Sequence, residues 1–232
     1  MKIAAIIFSL IGASTLSQAA LTLSGNSYVE NFDDIGNGLS AGWTVNTGAS
    51  ANSLGNAGAF SSAPVTWDTT TGNFRNVASA DGLTSTSSTT AQGNSTDRPL
   101  AIRQTSGFGD PGAAFTLEIA NTTGLAVNSL SISLQMLSVQ NYSTTWSIQY
   151  GLGASPTSFT TLATYPDPGA WGATVFSFNA ADLAGLNDQS QEVWFRIPAL
   201  EAATGDHNRD TFAIDDFALG YVAVPETEEC GL

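Results

Sequence analysis

Apolar and polar residues alternate along most of this chain, most cleanly where Leu130, Ile132, Leu134 and Met136 are separated by Ser131, Ser133 and Gln135. Successive strand side chains point to opposite faces, so such a run is a strand with one face in a core and the other in polar surroundings. The same pattern predicts strands at 113–119, 146–150, 193–197 and 212–214. Shorter candidates lie at 28–32, 43–46, 74–78, 100–104, 159–163 and 175–178. Clusters rich in Gly, Pro, Asn and Asp separate them, as at 107–111, 151–156 and 166–169, and read as turns between antiparallel strands. About ten short strands at this spacing predict an all-β, two-sheet antiparallel β-sandwich, a jelly roll. One helical turn is expected at 180–186, capped by Asn179. Residues 79–97 are a Ser/Thr/Gly/Asn tract with almost no apolar side chain. They read as a long loop with little core contact, mobile or facing a ligand.

The first residues change the picture of where the protein works. Lys2, the apolar run 3–12, Ser17 and Ala19 match a secretory signal peptide, expected over 1–19. That run falls short of the roughly 20 apolar residues that span a bilayer, and no later segment reaches that length. The sandwich is expected over 20–222 as one domain, followed by an acidic tail at 223–232. Cys230 is the only cysteine, so an intrachain disulfide is excluded. A formal net charge of −14 with scattered arginines argues against nucleic acid and anionic membranes, because phosphate binding needs clustered cations. Charged residues make up only 11% of the chain, yet 42% hydrophobic content and 12 phenylalanines argue for a folded core rather than disorder.

Two acidic segments are the candidate chemistry. Asp215 and Asp216 interrupt an apolar terminal strand, and Glu30, Asp33 and Asp34 lie in or just after the first one. Pairing of the first and last strands would collect these carboxylates, and their repulsion calls for a cation. Calcium accepts several oxygens in irregular geometry, so Glu30, Asp33, Asp34, Asp215 and Asp216 form the expected ligand set of a structural calcium. Strict alternation puts Asp215 and Asp216 on opposite faces unless a bulge turns the backbone. The competing reading pairs these acids with arginines such as Arg209 or leaves them capping turns.

Trp67 and Trp171 sit in turn-like surroundings, where flat rings could stack on sugar faces or plug the open ends of the sandwich. Trp43, Trp146 and Trp194 read as strand residues packed within or against a sheet. No catalytic residue is expected. His207 stands alone in a polar turn without a partnered nucleophile, and the Glu-x-Asp-x-x-Glu motif of jelly-roll glucanases is absent.

Asn31-Phe32-Asp33 and Gly42-Trp43, taken with 212–219, resemble calcium-bearing jelly-roll carbohydrate-binding modules. The resemblance implies that Asp33 and Asp215 help to hold a structural ion, with Asp33 where a glutamate is more usual. Over its whole length, including 95–100, 108–113 and 209–217, the chain is similar to exported β domains of bacterial PEP-CTERM proteins. Val224-Pro225-Glu226 matches the start of that sorting signal, whereas Thr227 replaces its second proline and no hydrophobic span or basic cluster follows. The expectation is a secreted or cell-surface, non-catalytic protein whose partner is an extracellular polysaccharide. A secreted hydrolase acting on polysaccharide or ester, or a purely structural matrix protein, are the alternatives.

Overall fold

The computed structural model describes residues 19–120, 125–166, 169–187 and 190–223. The expected signal peptide, apart from Ala19, and all but one residue of the acidic tail, with Cys230, lie outside the described residues. Among the described residues, fourteen strands run in chain order: β1 (Leu21–Thr22), β2 (Ser27–Glu30), β3 (Trp43–Thr47), β4 (Asn56–Ala57), β5 (Phe60–Pro64), β6 (Asn73–Asn76), β7 (Leu100–Arg103), β8 (Ala113–Ala120), β9 (Leu125–Ser138), β10 (Trp146–Leu152), β11 (Thr160–Tyr165), β12 (Gly172–Asn179), β13 (Val193–Ala199) and β14 (Thr211–Ala223). They form two sheets of seven strands. The first has the order β11-β10-β13-β8-β3-β4 with β1 added to β8, and the second β12-β9-β14-β7-β6-β5 with β2 added to β14. Pairing is antiparallel except at β1–β8 and β5–β6. The sandwich expected from alternation is therefore present, with two parallel edges that alternation does not reveal.

The core follows from the alternation. Leu130, Ile132, Leu134 and Met136 of β9 are buried against Phe115, Leu117 and Ile119 of β8 and Val193, Phe195 and Ile197 of β13. Trp146 and Phe212 stack across the sandwich with centroids 4.1 Å apart and planes 6° from parallel. Such aromatic pairs add about 0.5–1.5 kcal/mol beyond the area they bury. Among the described residues, no helix is long and apolar enough to cross a membrane.

The tract 79–97 departs from the bare loop that its composition suggests, and it continues a buried run that starts at Val77. Val77, Ala78, Ser79 and Ala80 are buried, and a short helix, α1 (Thr89–Asn94), is capped by Ser88, whose Oγ accepts the Ala91 amide. The segment lies over the outer face of the second sheet. There Val77, Ala78 and Ala80 join Trp67, Ala101, Leu137 and Ala213 in a second, smaller apolar cluster. Sparse apolar side chains suffice because the sheet face beneath supplies the rest. The turn expected at 180–186 is present: Asn179 Oδ1 accepts the Ala181 amide, and Ala184–Leu186 form a 3-10 turn.

Candidate functional site

The meeting of the chain ends comes from register. β2 pairs antiparallel with β14, Glu30 opposite Phe217, which brings the turn after β2 to the middle of the last strand. At that point β14 bulges. Its pairing with β9 shifts between Asp215 and Ala218, and Asp216 adopts a left-handed φ of 48°. The bulge reverses parity along the strand, so Phe212 and Ile214 before it and Phe217 and Leu219 after it all enter the core. Asp215 lies on the outer face, 1% exposed, while Asp216 is open to solvent. A bulge thus places both carboxylates on one side of the fold, which simple alternation forbids.

Asp215 is received by polar donors. Its Oδ2 accepts Gln135 Nε2 at 2.9 Å and Ser79 Oγ at 3.2 Å, and its Oδ1 accepts the Asp216 amide at 3.0 Å. Burial, and then the charges of Asp216 and Asp97, push its pKa up to about 8. Asp216 is raised by burial and by Asp33 and Asp81, and Asp97 by burial and by Asp33, Asp216 and Asp81. The acidic neighbourhood therefore comprises Asp33, Asp81, Asp97, Asp215 and Asp216.

Of the five residues read as ligands, Asp216 is a charged neighbour of both Asp215 and Asp33, whereas Asp33 is not among the charges that act on Asp215. Glu30 serves its own turn, its Oε1 accepting the Phe32 amide at 2.8 Å where Phe32 takes a φ of 55°. Asp34 lies with Asp33 along a cleft that also includes Pro64, Asn76 and Thr96. Asp81 and Asp97 were not expected, since both fall in the tract read as a loop. The signal available was Asp97 standing just before β7, which pairs with β14 immediately ahead of Asp215. Arg209 does not neutralise these acids and pairs instead with Asp110.

Among the described residues, no three Asp, Glu, His or Cys side chains are gathered closely enough to hold a metal ion by themselves. The expected set is thus not one carboxylate cage. A hard cation here would rest on one or two carboxylates completed by neutral oxygens, a set that suits calcium and lacks the nitrogen or sulfur that zinc or copper favour.

The second candidate region lies across residues 77–98. Trp67 is 2% exposed, its Nε1 donating to the Ala78 carbonyl at 2.7 Å and its amide to Gln92 Oε1 at 3.0 Å. Enclosed in this way it has no open face for a sugar, which corrects the stacking role read from its turn-like surroundings. Trp171 differs. It is half-buried, meets the Trp67 ring edge-on at 5.8 Å, and donates Nε1 to the Leu137 carbonyl at 3.2 Å. With Asp68, Ser85, Ser138, Val139 and Gln140 it lines a cleft of ≈ 300 Å³. Ser138 Oγ is fixed by Gln140 Nε2 at 2.9 Å and by Arg103 Nη1 at 3.3 Å. Trp43 and Trp146 are core residues, and Trp194 is half-buried on the outer face of the first sheet.

No protein-family model matches the chain, and no curated protein sequence does. Among solved structures, the chain is similar to a xylan-binding module, CBM15, at 12% identity and a TM-score of 0.44, over 87% of this chain and 100% of that one. It is similar to the K1 cleaved adhesin domain of Lys-gingipain from Porphyromonas gingivalis W83 at 13% identity and a TM-score of 0.44, over 87% and 100%. A family 22 carbohydrate-binding module of Clostridium thermocellum Xyn10B matches at 11% identity and a TM-score of 0.39, over 84% and 94%.

Proposed function

We propose that this protein is a non-catalytic, secreted or cell-surface module that binds extracellular polysaccharide at the Trp171 cleft. The observation that carries this reading is the composition of the cleft: one half-buried indole beside hydroxyls of Ser85 and Ser138, the Gln140 amide and the Asp68 carboxylate. Sugar rings expose apolar C–H faces and a fringe of hydroxyls, and a site of this kind offers a surface for the first and hydrogen-bond partners for the second. Trp67 fixes the Trp171 edge, so little ordering remains to be done on binding. Affinity electrophoresis against a panel of soluble polysaccharides tests it. Retardation by at least one glycan, lost in Trp171→Ala without release of reducing sugar, is expected. Hydrolysis that disappears when a clustered acid is replaced would favour the hydrolase alternative.

A structural calcium belongs to the same reading, with Asp33 as a carboxylate that acts on Asp216 and also lines the neighbouring cleft. Chelation is expected to lower the melting temperature and added calcium to restore it; an unchanged melt would remove the ion from the reading. Export rests on the signal peptide expected at 1–19 and on the PEP-CTERM-like sequence.

A further inference from the structure

We propose that β12 is a pairing edge through which two copies of this chain join antiparallel about a two-fold axis, merging their second sheets. β12 pairs with β9 along its whole length, from Gly172 opposite Met136 to Asn179 opposite Ser129, without a shift of register. Among the described residues its other side has no strand partner. Alternate residues therefore turn their backbone N–H and C=O groups away from the sheet along about 27 Å of regular strand. The remaining edges are blunted in the ways that keep strands from pairing. β1 and β4 have two residues each, β2 is four residues ending in Glu30, and β5 ends in Pro64. The pairing of β11 with β10 is broken by an irregularity between Ile148 and Gln149. β12 has no charged residue, no proline and no bulge.

Charge selects the occupant. The net charge is −14, so copies of the chain repel one another over most of the surface. Between Glu118 and Asp182 the sequence has one charged residue, Asp167, and that stretch supplies β9 to β12. β11 and β12 are the outermost strands of their two sheets. They share one lateral side of the sandwich, where Tyr165 at the end of β11 donates its hydroxyl to the Ala170 carbonyl just before β12 at 3.2 Å. Val175 is 66% exposed in the middle of β12, between the exposed Ala173 and Ser177 on the same face. Phe176 and Phe178 on the other face are only partly buried against the core. A charged partner strand would find no counter-charge along this edge, whereas a second β12 brings no charge and repeats the same alternation in reverse. Antiparallel pairing about the middle of β12 also keeps the two copies of Asp182 at opposite ends of the joint, since Asp182 lies beyond Asn179, whose amide its Oδ2 accepts at 2.9 Å. A two-fold joint uses up the edge of both copies, so assembly closes at the dimer.

Sedimentation velocity of the purified chain over a dilution series tests this. A reversible equilibrium between monomer and dimer is expected, and Val175→Lys should weaken it about tenfold or more. Val29→Lys on β2, at an equally exposed valine, should leave it within about threefold. Both side chains stand in solvent, so both variants keep the fold. In a Cys230→Ser background, oxidation should cross-link two copies through Ala173→Cys, Val175→Cys or Ser177→Cys, and not through Val29→Cys. A wild type that stays monomeric at every concentration overturns the proposal, as does a dimer that withstands Val175→Lys and cross-links at position 29. Growth beyond the dimer would overturn the two-fold joint in favour of a head-to-tail one. A monomer whose 172–179 amides are nevertheless protected from hydrogen exchange on both sides of the strand would assign the edge to another segment of the same chain.

Discussion

Gln135 donates its side-chain amide to the Asp215 carboxylate at 2.9 Å on the outer face of the second sheet, beneath residues 77–98. The same Gln135 accepts the Ala80 amide through Oε1 at 2.9 Å, and Ser79 Oγ reaches Asp215 at 3.2 Å. The covering segment is therefore pinned to the sheet by a polar network whose titratable member on the sheet itself is Asp215.

The sign of the pH dependence follows. The Asp215 pKa is raised from 3.8 to about 8, so between these values the native state holds a proton that the unfolded chain releases. Stability contributed in this way is fully present below the unfolded pKa and is lost as pH rises through the folded one. Asp97 and Asp216 are raised as well and act in the same direction. In calcium-free buffer the melting temperature should fall between about pH 4 and pH 8, with Asp215 contributing up to about 1.4 kcal/mol per pH unit. Asp215→Asn should flatten that slope. A wild-type melting temperature that rises across this window would contradict the protonated, buried Asp215.

The two tryptophans of the second region should separate cleanly. Trp67 fills the small apolar cluster and anchors Gln92 and Ala78, so Trp67→Ala should destabilise by about 3–5 kcal/mol in denaturant unfolding. Trp171→Ala removes a half-buried ring at the rim and should shift stability far less while abolishing glycan binding. Equal loss of stability in the two variants would return Trp171 to architecture.

How much of this was legible varies with the physics involved. The sequence of β9 could be read because Leu130 to Met136 obey one constraint, a core on one side, and β8, β10 and β13 follow the same rule. The edge strand β5, Phe-Ser-Ser-Ala-Pro, was not legible, because a parallel edge strand half covered by neighbours has no face to bury completely. The bulge at Asp216 was foreseeable as a requirement but not as a fact, since its cause lies in the partners on β2 and β9. Asp81 and Asp97 were hidden because membership of the acidic neighbourhood depends on how residues 77–98 cross the sheet, which local composition does not encode.

Gly42 offers a backbone test of the motif shared by the first strands. It has a φ of 79°, and a Cβ there would stand 2.7 Å from the Glu118 carbonyl oxygen and 2.8 Å from Leu21 Cβ. Gly42 also accepts the Glu118 amide, joining β3 to β8 beside Trp43. Gly42→Ala should therefore destabilise by about 1–3 kcal/mol, from left-handed strain and displacement of β1. A thermal melt indistinguishable from wild type would mean that this turn relaxes freely.

Arg196 governs the opposite face. It is 1% exposed on β13, and its Nε donates to Gln149 Oε1 at 2.7 Å while Nη1 donates to the Ser50 and Ser53 carbonyls at 2.9 and 2.8 Å. Its Cζ stands 3.2 Å from the centre of the Phe159 ring. Burial lowers its pKa to about 10, so it remains charged at neutral pH, with its hydrogen-bond acceptors supplied by amide groups. The guanidinium thus ties the loops after β3 and β10 onto the first sheet. Arg196→Met should leave Gln149 Oε1 without its donor, take one of two donors from each of the Ser50 and Ser53 carbonyls, and cost about 2–5 kcal/mol. Arg196→Lys should recover only part of this, because an ammonium cannot reproduce the planar fork or its stacking on Phe159. Hydrogen exchange provides the local readout: amides around Ser50 and Ser53 should lose protection first in both variants, ahead of the β8 and β13 strands. Uniform loss of protection across the first sheet would show that Arg196 supports the whole sheet rather than its loops.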